Sequence, residues 1–355
     1  MLRIIDTIIT QTSFLFQEYP VEGLISFDRQ TRIVLILTAR RIATTYENSL
    51  ENEIILPGSR SRIKQRRKMI IDDLVRGSID MHCHHAPDAL IEGRMDALET
   101  VKLACQMGMR AVVLKNTYFP TAPMADIIGK LVPEVKVFGS VCLDNEIGGL
   151  NFEALEPLAK FGTKVVWMPT HSSTNSRASM RRLPGVVLEG EGFSLLTADN
   201  KLVPEIARIL SIIKKYDMVL ANGHVSPKET FALFEAAQAV GITKLVVTHG
   251  LWVNGSVKFT LDELKKLGQM GAYIEHCYVG FLPTDFRYDP KPMVDAIKYI
   301  GAEHCIISSD LGQYYNPPPA EGMRMFIALL LKNGLSEHEV ELMAKKNPAK
   351  LLDLE

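Results

Sequence analysis

The stretch "SIDMHCHHAPD", residues 78–88, decides how the rest of the chain is read. Apolar and polar residues alternate from Ile79 to His84, which marks a short strand, because successive side chains of a strand point to opposite faces. His82 and His84 are two residues apart, so both project the same way at the strand's end. A lone histidine there reads as a core residue. A pair on one face can reach a single metal ion at about 2.0–2.1 Å, and that reading is preferred. Cys83 and His85 face elsewhere, Cys83 as a small buried hydrophobe.

The strand is the first of a series. Further β-rich runs follow at 110–118, 135–144, 163–171, 217–226, 243–250, 272–280 and 303–310. Amphipathic stretches lie between them at 96–108, 151–161, 203–216, 227–240, 260–270 and 291–300. Ser226 with Glu229, Thr260 with Glu263, and Ser336 with Glu339 carry capping-box spacing. Gly241, Gly271 and Gly301 close helices just before the next strand. Eight strands, each followed by a helix, predict a parallel (β/α)8 TIM barrel over 69–355, near the roughly 250 residues typical of that fold plus insertions. No G-x-G-x-x-G follows the first strand, which weighs against an open doubly wound sheet.

Residues 1–68 stand apart as an N-terminal extension ending in the basic run "SRSRIKQRRK" (59–68). A solvated linker is preferred to a nucleic-acid arm, since no aromatic residue interrupts the run. Met69 as the true start of translation is a further alternative. Formal net charge is -1 and 47% of residues are hydrophobic, which gives no electrostatic footprint for nucleic acid. The five cysteines are scattered, without C-x-x-C spacing, and fit reduced thiols in the cytoplasm. Apolar runs such as "IVLIL" (33–37) are far shorter than the roughly 20 residues that span a bilayer, so no membrane partner is expected.

In such barrels chemistry sits at the carboxyl ends of the strands, and the histidines gather there. His82 and His84 close strand one, His171 strand four, His224 strand five and His249 strand six. His276 lies late in strand seven, and Asp310 ends strand eight. Asp310 follows an apolar run and would be costly to bury without a metal, an imidazolium or a proton to receive. Only His304 and His338 have no route to the mouth.

This arrangement (H-x-H on strand one, histidines on strands five and six, aspartate on strand eight) resembles the amidohydrolase superfamily of metal-dependent barrel hydrolases. "DMHCHHAPD", "LKNTY", "GGLN" and "VVWMPTHSS" look more closely like an uncharacterised branch of these barrels. The resemblance implies that His82, His84 and Asp310 hold one metal, and that His224 and His249 hold a second or the substrate. Histidine and carboxylate ligands suit zinc, with manganese, iron or nickel as alternatives, and one ion or two stays open. Strand four departs from the superfamily pattern. It ends in Thr170 and His171, with no lysine or glutamate to bridge two ions. Lys115 and Glu275 are the available bridges, and Lys115 serves equally as a cation for a substrate anion.

The expected chemistry is hydrolysis of a C–N or C–O bond in a small molecule, with Asp310 as proton carrier. Lys115, His171, Arg94, Glu275 and His276 are the candidate substrate contacts. Asp80 reads as a packing residue of the barrel's middle layer or an orienting group behind His82. In the insertion 172–202 the piece "VVLEGEGFSLLTADNKLV" (186–203) reads as a β-hairpin turning at "TADN" that could act as a lid, and Arg177, Arg181 and Arg182 before it read as solvated, with a clamp on a carboxylate or phosphate as the alternative. The helix "MRMFIALLL" (323–331) reads as core packing, with a homo-oligomer contact as the alternative. A phosphoesterase, a decarboxylase or hydro-lyase, and a non-catalytic metal- or ligand-binding barrel remain open, because one fold hosts many chemistries.

Overall fold

A computed structural model describes residues 59–180, 190–251, 258–282 and 289–355. Eight strands pair in sequence order, all parallel: β1 (Ile79–His84), β2 (Ala111–Lys115), β3 (Lys136–Cys142), β4 (Thr163–Trp167), β5 (Val219–Ala221), β6 (Leu245–Val247), β7 (Ala272–Cys277) and β8 (Cys305–Ser308). Each falls inside the run expected to form it. The sheet returns on itself through the residues just after β8. Asp310 N donates to His82 O and His84 N to Leu311 O, both at 2.9 Å. The chain is a (β/α)8 TIM barrel.

Helices α1 (Ser59–Val75), α2 (Ala97–Gln106), α3 (Ala122–Leu131), α4 (Phe152–Lys160), α5 (Thr174–Met180) and α6 (Pro204–Lys215) occupy the first half. They continue with α7 (Pro227–Ala239), α8 (Leu261–Gln269), α9 (Pro290–Ile300), α10 (Pro319–Lys332), α11 (Glu337–Glu341) and α12 (Asn347–Leu351). The three expected capping boxes form at α7, α8 and α11, and Asp96 with Glu99 adds a fourth at α2. Gly241, Gly271 and Gly301 take the positive φ their places require.

Strand alternation builds two cores. Val112, Leu114, Val166, Leu220 and Val247 face the helices, whereas Ile79, Met81, Ala111, Val113, Val165 and Val219 fill the barrel. Ala349, Leu351 and Leu352, from α12 and the residue after it, join that inner cluster and close the end opposite the histidines. Met323, Phe326, Ile327 and Leu330 of α10 are buried, so the apolar helix is core packing.

Three expectations change. α1 runs without interruption through position 68, so the basic run is helical and the expected boundary falls within a helix. The compact unit that holds the barrel spans Gln65–Glu355. Residues 1–58, with the other β-like runs of the extension, lie outside the described residues. The hairpin after β4 is reduced to one antiparallel bridge, Leu196 with Leu202, around the "TADN" turn. Upstream, Phe193 pairs with the exit of β4 instead, donating to Ser172 O at 2.8 Å and accepting from Thr174 N at 3.0 Å. The backbone groups a longer hairpin would use are therefore taken. Arg181, Arg182 and the start of the hairpin's first arm, up to residue 189, lie outside the described residues. Finally, Arg177 is buried on α5 rather than solvated. Among the described residues no helix is long and apolar enough to cross a membrane.

Candidate metal centre

The first strand does not alternate strictly. Ile79 and Asp80 pair with Ala111 and Val112, but Cys83 pairs with Leu114, so β1 spends one more residue than β2 over that interval. This bulge lets Met81 fill the barrel while the next residue, His82, also turns inward at the mouth. Asp80 is held beside the bulge. It accepts from His82 N at 3.1 Å, Ser309 N at 3.0 Å and Ser309 Oγ at 2.5 Å. It thus ties the end of β1 to that of β8, and burial pushes its carboxyl up to about 6. The orienting alternative for Asp80 matches this position.

The same device recurs around the rim. Asp144, just after β3, accepts from Thr170 N at 2.9 Å, Ser172 N at 2.7 Å and Thr170 Oγ1, fixing the exit of β4. Asn222, just after β5, accepts from Thr248 N at 2.7 Å and donates to Thr230 Oγ1 at 2.9 Å, fixing the exit of β6. Beyond those exits the backbone bends sharply. His249 and Asp310 have φ of 54° and 53°, a region that residues with a Cβ rarely enter. Two such residues in one site are strain of the kind that surrounding structure must impose.

The bends bring the side chains together. Asp310 Oδ1 lies 3.0 Å from His82 Nε2 and 3.2 Å from His84 Nε2, and Asp310 Oδ2 lies 3.5 Å from His249 Nε2. The His249 ring is centred 5.3 Å from that of His82 and 5.2 Å from that of His224. His171 continues the row, 6.1 Å from His224. Behind His82, Glu275 Oε2 sits 3.2 Å from Nδ1, and Glu275 Oε1 accepts from Ser308 Oγ at 2.7 Å.

The donor set fits a divalent ion. His82 Nε2 is buried and close to Asp310 Oδ1, yet makes no hydrogen bond with it by direction. His82, His84 and Asp310 present ligand atoms mutually within 4.8 Å, and so do His82, His249 and Cys277. Protonation suits the role, since ligating imidazoles must be neutral and carboxylates ionised. Burial drives His84 and His249 down to about 4 and His171 to about 3, each with the positive Lys115 adding to the effect. Burial and His249 hold His224 well below its usual range. Asp310 is held well below the carboxylate range against its burial, by His82 and His249. His82 is the exception. Burial opposes its charge, but Asp310 and Glu275 outweigh this and lift it to about 9.

The remaining expected contacts divide. Lys115 ends β2 opposite His84, buried, with Nζ 5.3 Å from the centre of the Trp167 ring. His171 Nδ1 is buried without a hydrogen bond. Glu275 sits beside His82, with both oxygens engaged, one by His82 Nδ1 and one by Ser308 Oγ. His276 alternates to the opposite face of β7 from Glu275, and both its nitrogens are buried without hydrogen bonds. Arg94 is exposed in the loop before α2, and its backbone N–H donates to Gly312 O at 2.7 Å. Sequence reasoning missed Cys277, although its spacing from Glu275 on one strand carried the signal. It also missed the Asp144 and Asn222 clamps, whose polar side chains reach the next strand in ways no local pattern announces.

Comparison with known proteins agrees on the fold. A family model described as a family of unknown function, DUF6282, matches residues 77–275, a span that includes the site residues from Asp80 to Glu275 and leaves His276, Cys277, Ser308, Ser309 and Asp310 outside. No curated protein matches the chain. An amidohydrolase from Pseudomonas aeruginosa superposes with a TM-score of 0.53 at 14% identity, covering 81% of this chain and 98% of that one. The probable dipeptidase PvdM from the same organism gives 0.56 at 13%, with the same coverage. A 2,6-dihydroxybenzoate decarboxylase gives 0.50 at 12%, covering 79% of this chain and all of the other. At such identities the likeness speaks for the fold alone, a parallel (β/α)8 barrel. By the family model that it matches, the chain belongs to the DUF6282 family.

Proposed function

We propose that this protein is a metal-dependent hydrolase that cleaves a C–N or C–O bond of a small molecule at the mouth of the barrel. One observation carries the reading: the Asp310 carboxylate lies within 3.0–3.5 Å of imidazole nitrogens from two other strands, with all but the half-buried His84 buried and with His249 and Asp310 on strained turns. His82, His84 and Asp310 would hold the ion, with His249 beside them and His224 farther along the row; zinc suits nitrogen and carboxylate donors. When bound, a divalent ion there supplies Lewis acidity toward a water and toward the scissile group.

The chain's own residues do the rest. Asp310 Oδ2, the oxygen turned from His82 and His84 toward His249, accepts the proton of the attacking water and returns it to the leaving group. Glu275 holds His82 with Nδ1–H toward itself, leaving Nε2 as the donor atom. Lys115 faces the site as a buried cation that orients a polar or anionic group of the substrate. His171 and His224, neutral at physiological pH, offer hydrogen bonds on the side of β4 and β5.

The test is elemental analysis of purified protein followed by a screen of amides, esters and lactones before and after chelation. One or two ions per chain and turnover abolished by chelation are expected. Full turnover in protein stripped of metal would overturn the proposal.

A further inference from the structure

We infer that Cys277 is a ligand of the metal centre, so that the ion this barrel takes is one that accepts a thiolate. The inference rests on the metal-dependent reading above and extends it to a residue outside the histidine and aspartate pattern.

The placement follows from β7. Glu275 points inward and grips His82 Nδ1. Two residues on, Cys277 returns to the same face, about 6.6 Å nearer the mouth at the rise of a parallel strand. That step carries it from the orienting position behind His82 to the level of the donors. There its Sγ, one His82 nitrogen and one His249 nitrogen are mutually within 4.8 Å, and all three residues are buried. These three donors, from β1, the exit of β6 and the end of β7, form a group that shares His82 with the group of His82, His84 and Asp310. Among the described residues Cys277 Sγ makes no hydrogen bond that would hold it elsewhere. The other cysteines lack such company: Cys83, Cys142 and Cys305 are buried without grouped donors, and Cys105 lies on α2.

The position also compensates for β4. No lysine or carboxylate of that strand faces the site; Trp167 fills its inner end instead, against His82 and Lys115. Cys277, at the end of β7, offers a further protein donor on the β6–β8 side. A soft sulfur ligand favours zinc, cobalt, iron or nickel over magnesium and manganese.

Zinc-edge X-ray absorption on the zinc-loaded wild-type protein reads this without any variant. One sulfur scatterer at about 2.3 Å beside nitrogen and oxygen scatterers at about 2.0–2.1 Å is expected. The cobalt-loaded protein should show a near-ultraviolet sulfur-to-cobalt charge-transfer band that Cys277→Ser removes, while Cys83→Ser leaves it intact. Bound zinc with only nitrogen and oxygen neighbours would overturn the ligand assignment and leave the hydrolase reading standing. A wild-type protein that takes up no metal would overturn both.

Discussion

His82 and Asp310 are joined twice. The Asp310 backbone N–H donates to the His82 carbonyl at 2.9 Å, and the Asp310 carboxylate meets the His82 ring at 3.0 Å. The first link closes the barrel between β1 and β8; the second forms the centre of the site. Substitutions at Asp310 therefore separate catalysis from architecture only if the backbone link survives. Asp310→Asn keeps that link and the side-chain shape but removes the proton acceptor. Turnover should fall by about 10²–10⁴-fold, with the melting temperature little changed. Steady-state kinetics on any substrate found in the screen checks this; wild-type turnover in the variant would remove Asp310 from the chemistry.

Glu275 acts through His82 rather than on a substrate, because its two oxygens are occupied by His82 Nδ1 and Ser308 Oγ. Glu275→Gln retains the size of the side chain but weakens the hold on the ring. Loss of such an orienting partner typically costs 10–100-fold in metal affinity. We expect a weakening of about that size in competition titrations against a chromophoric chelator. A change in KM alone, with metal affinity intact, would instead mark Glu275 as a substrate contact.

Much of this site was legible before the fold was known. The strand ends could be located from apolar runs and caps, and barrel topology then sends every strand-end residue to one rim. What escaped was geometry that depends on neighbours. The β1 bulge appears only when Asp80 and Cys83 are paired with β2. Strict alternation cannot place Met81 and His82 on the same side, yet both face inward. Arg177 looked solvated because its loop is polar, but α5 forms there and buries it. Glu275 and His276 were read as equivalent rim residues although a strand sends them to opposite faces.

Gly223 makes the entry to His224. Its φ is 60°, and a Cβ built there would lie 2.1 Å from Met168 O and 2.7 Å from Pro169 O, both backbone atoms. Gly223→Ala therefore combines left-handed backbone strain of about 1–2 kcal/mol with a contact that only movement of the β4 exit can relieve. Both destabilisation in urea and displacement of His224 are expected. Equal unfolding midpoints for variant and wild type would show that the close approach is absent.

At the opposite end of the barrel, Asp353 accepts from Lys164 Nζ at 2.5 Å and Lys244 Nζ at 2.6 Å, linking the C-terminal plug to β4 and to the residue before β6. Slight burial works against its charge, but the two lysines hold its carboxyl below the usual range. A lowered carboxylate stabilises the fold above its unfolded pKa, and that contribution is lost as pH falls through the folded value. The group is about half exposed, so screening limits its worth to under about 1 kcal/mol. Asp353→Asn should therefore be slightly less stable than wild type at pH 7, and the difference should shrink in acid as the wild-type carboxylate takes up its proton. High salt at pH 7 should narrow it as well. Urea titrations at neutral and acid pH provide the comparison; a gap that stays constant across the acid range would show that the loss comes from packing around residue 353 and not from its charge.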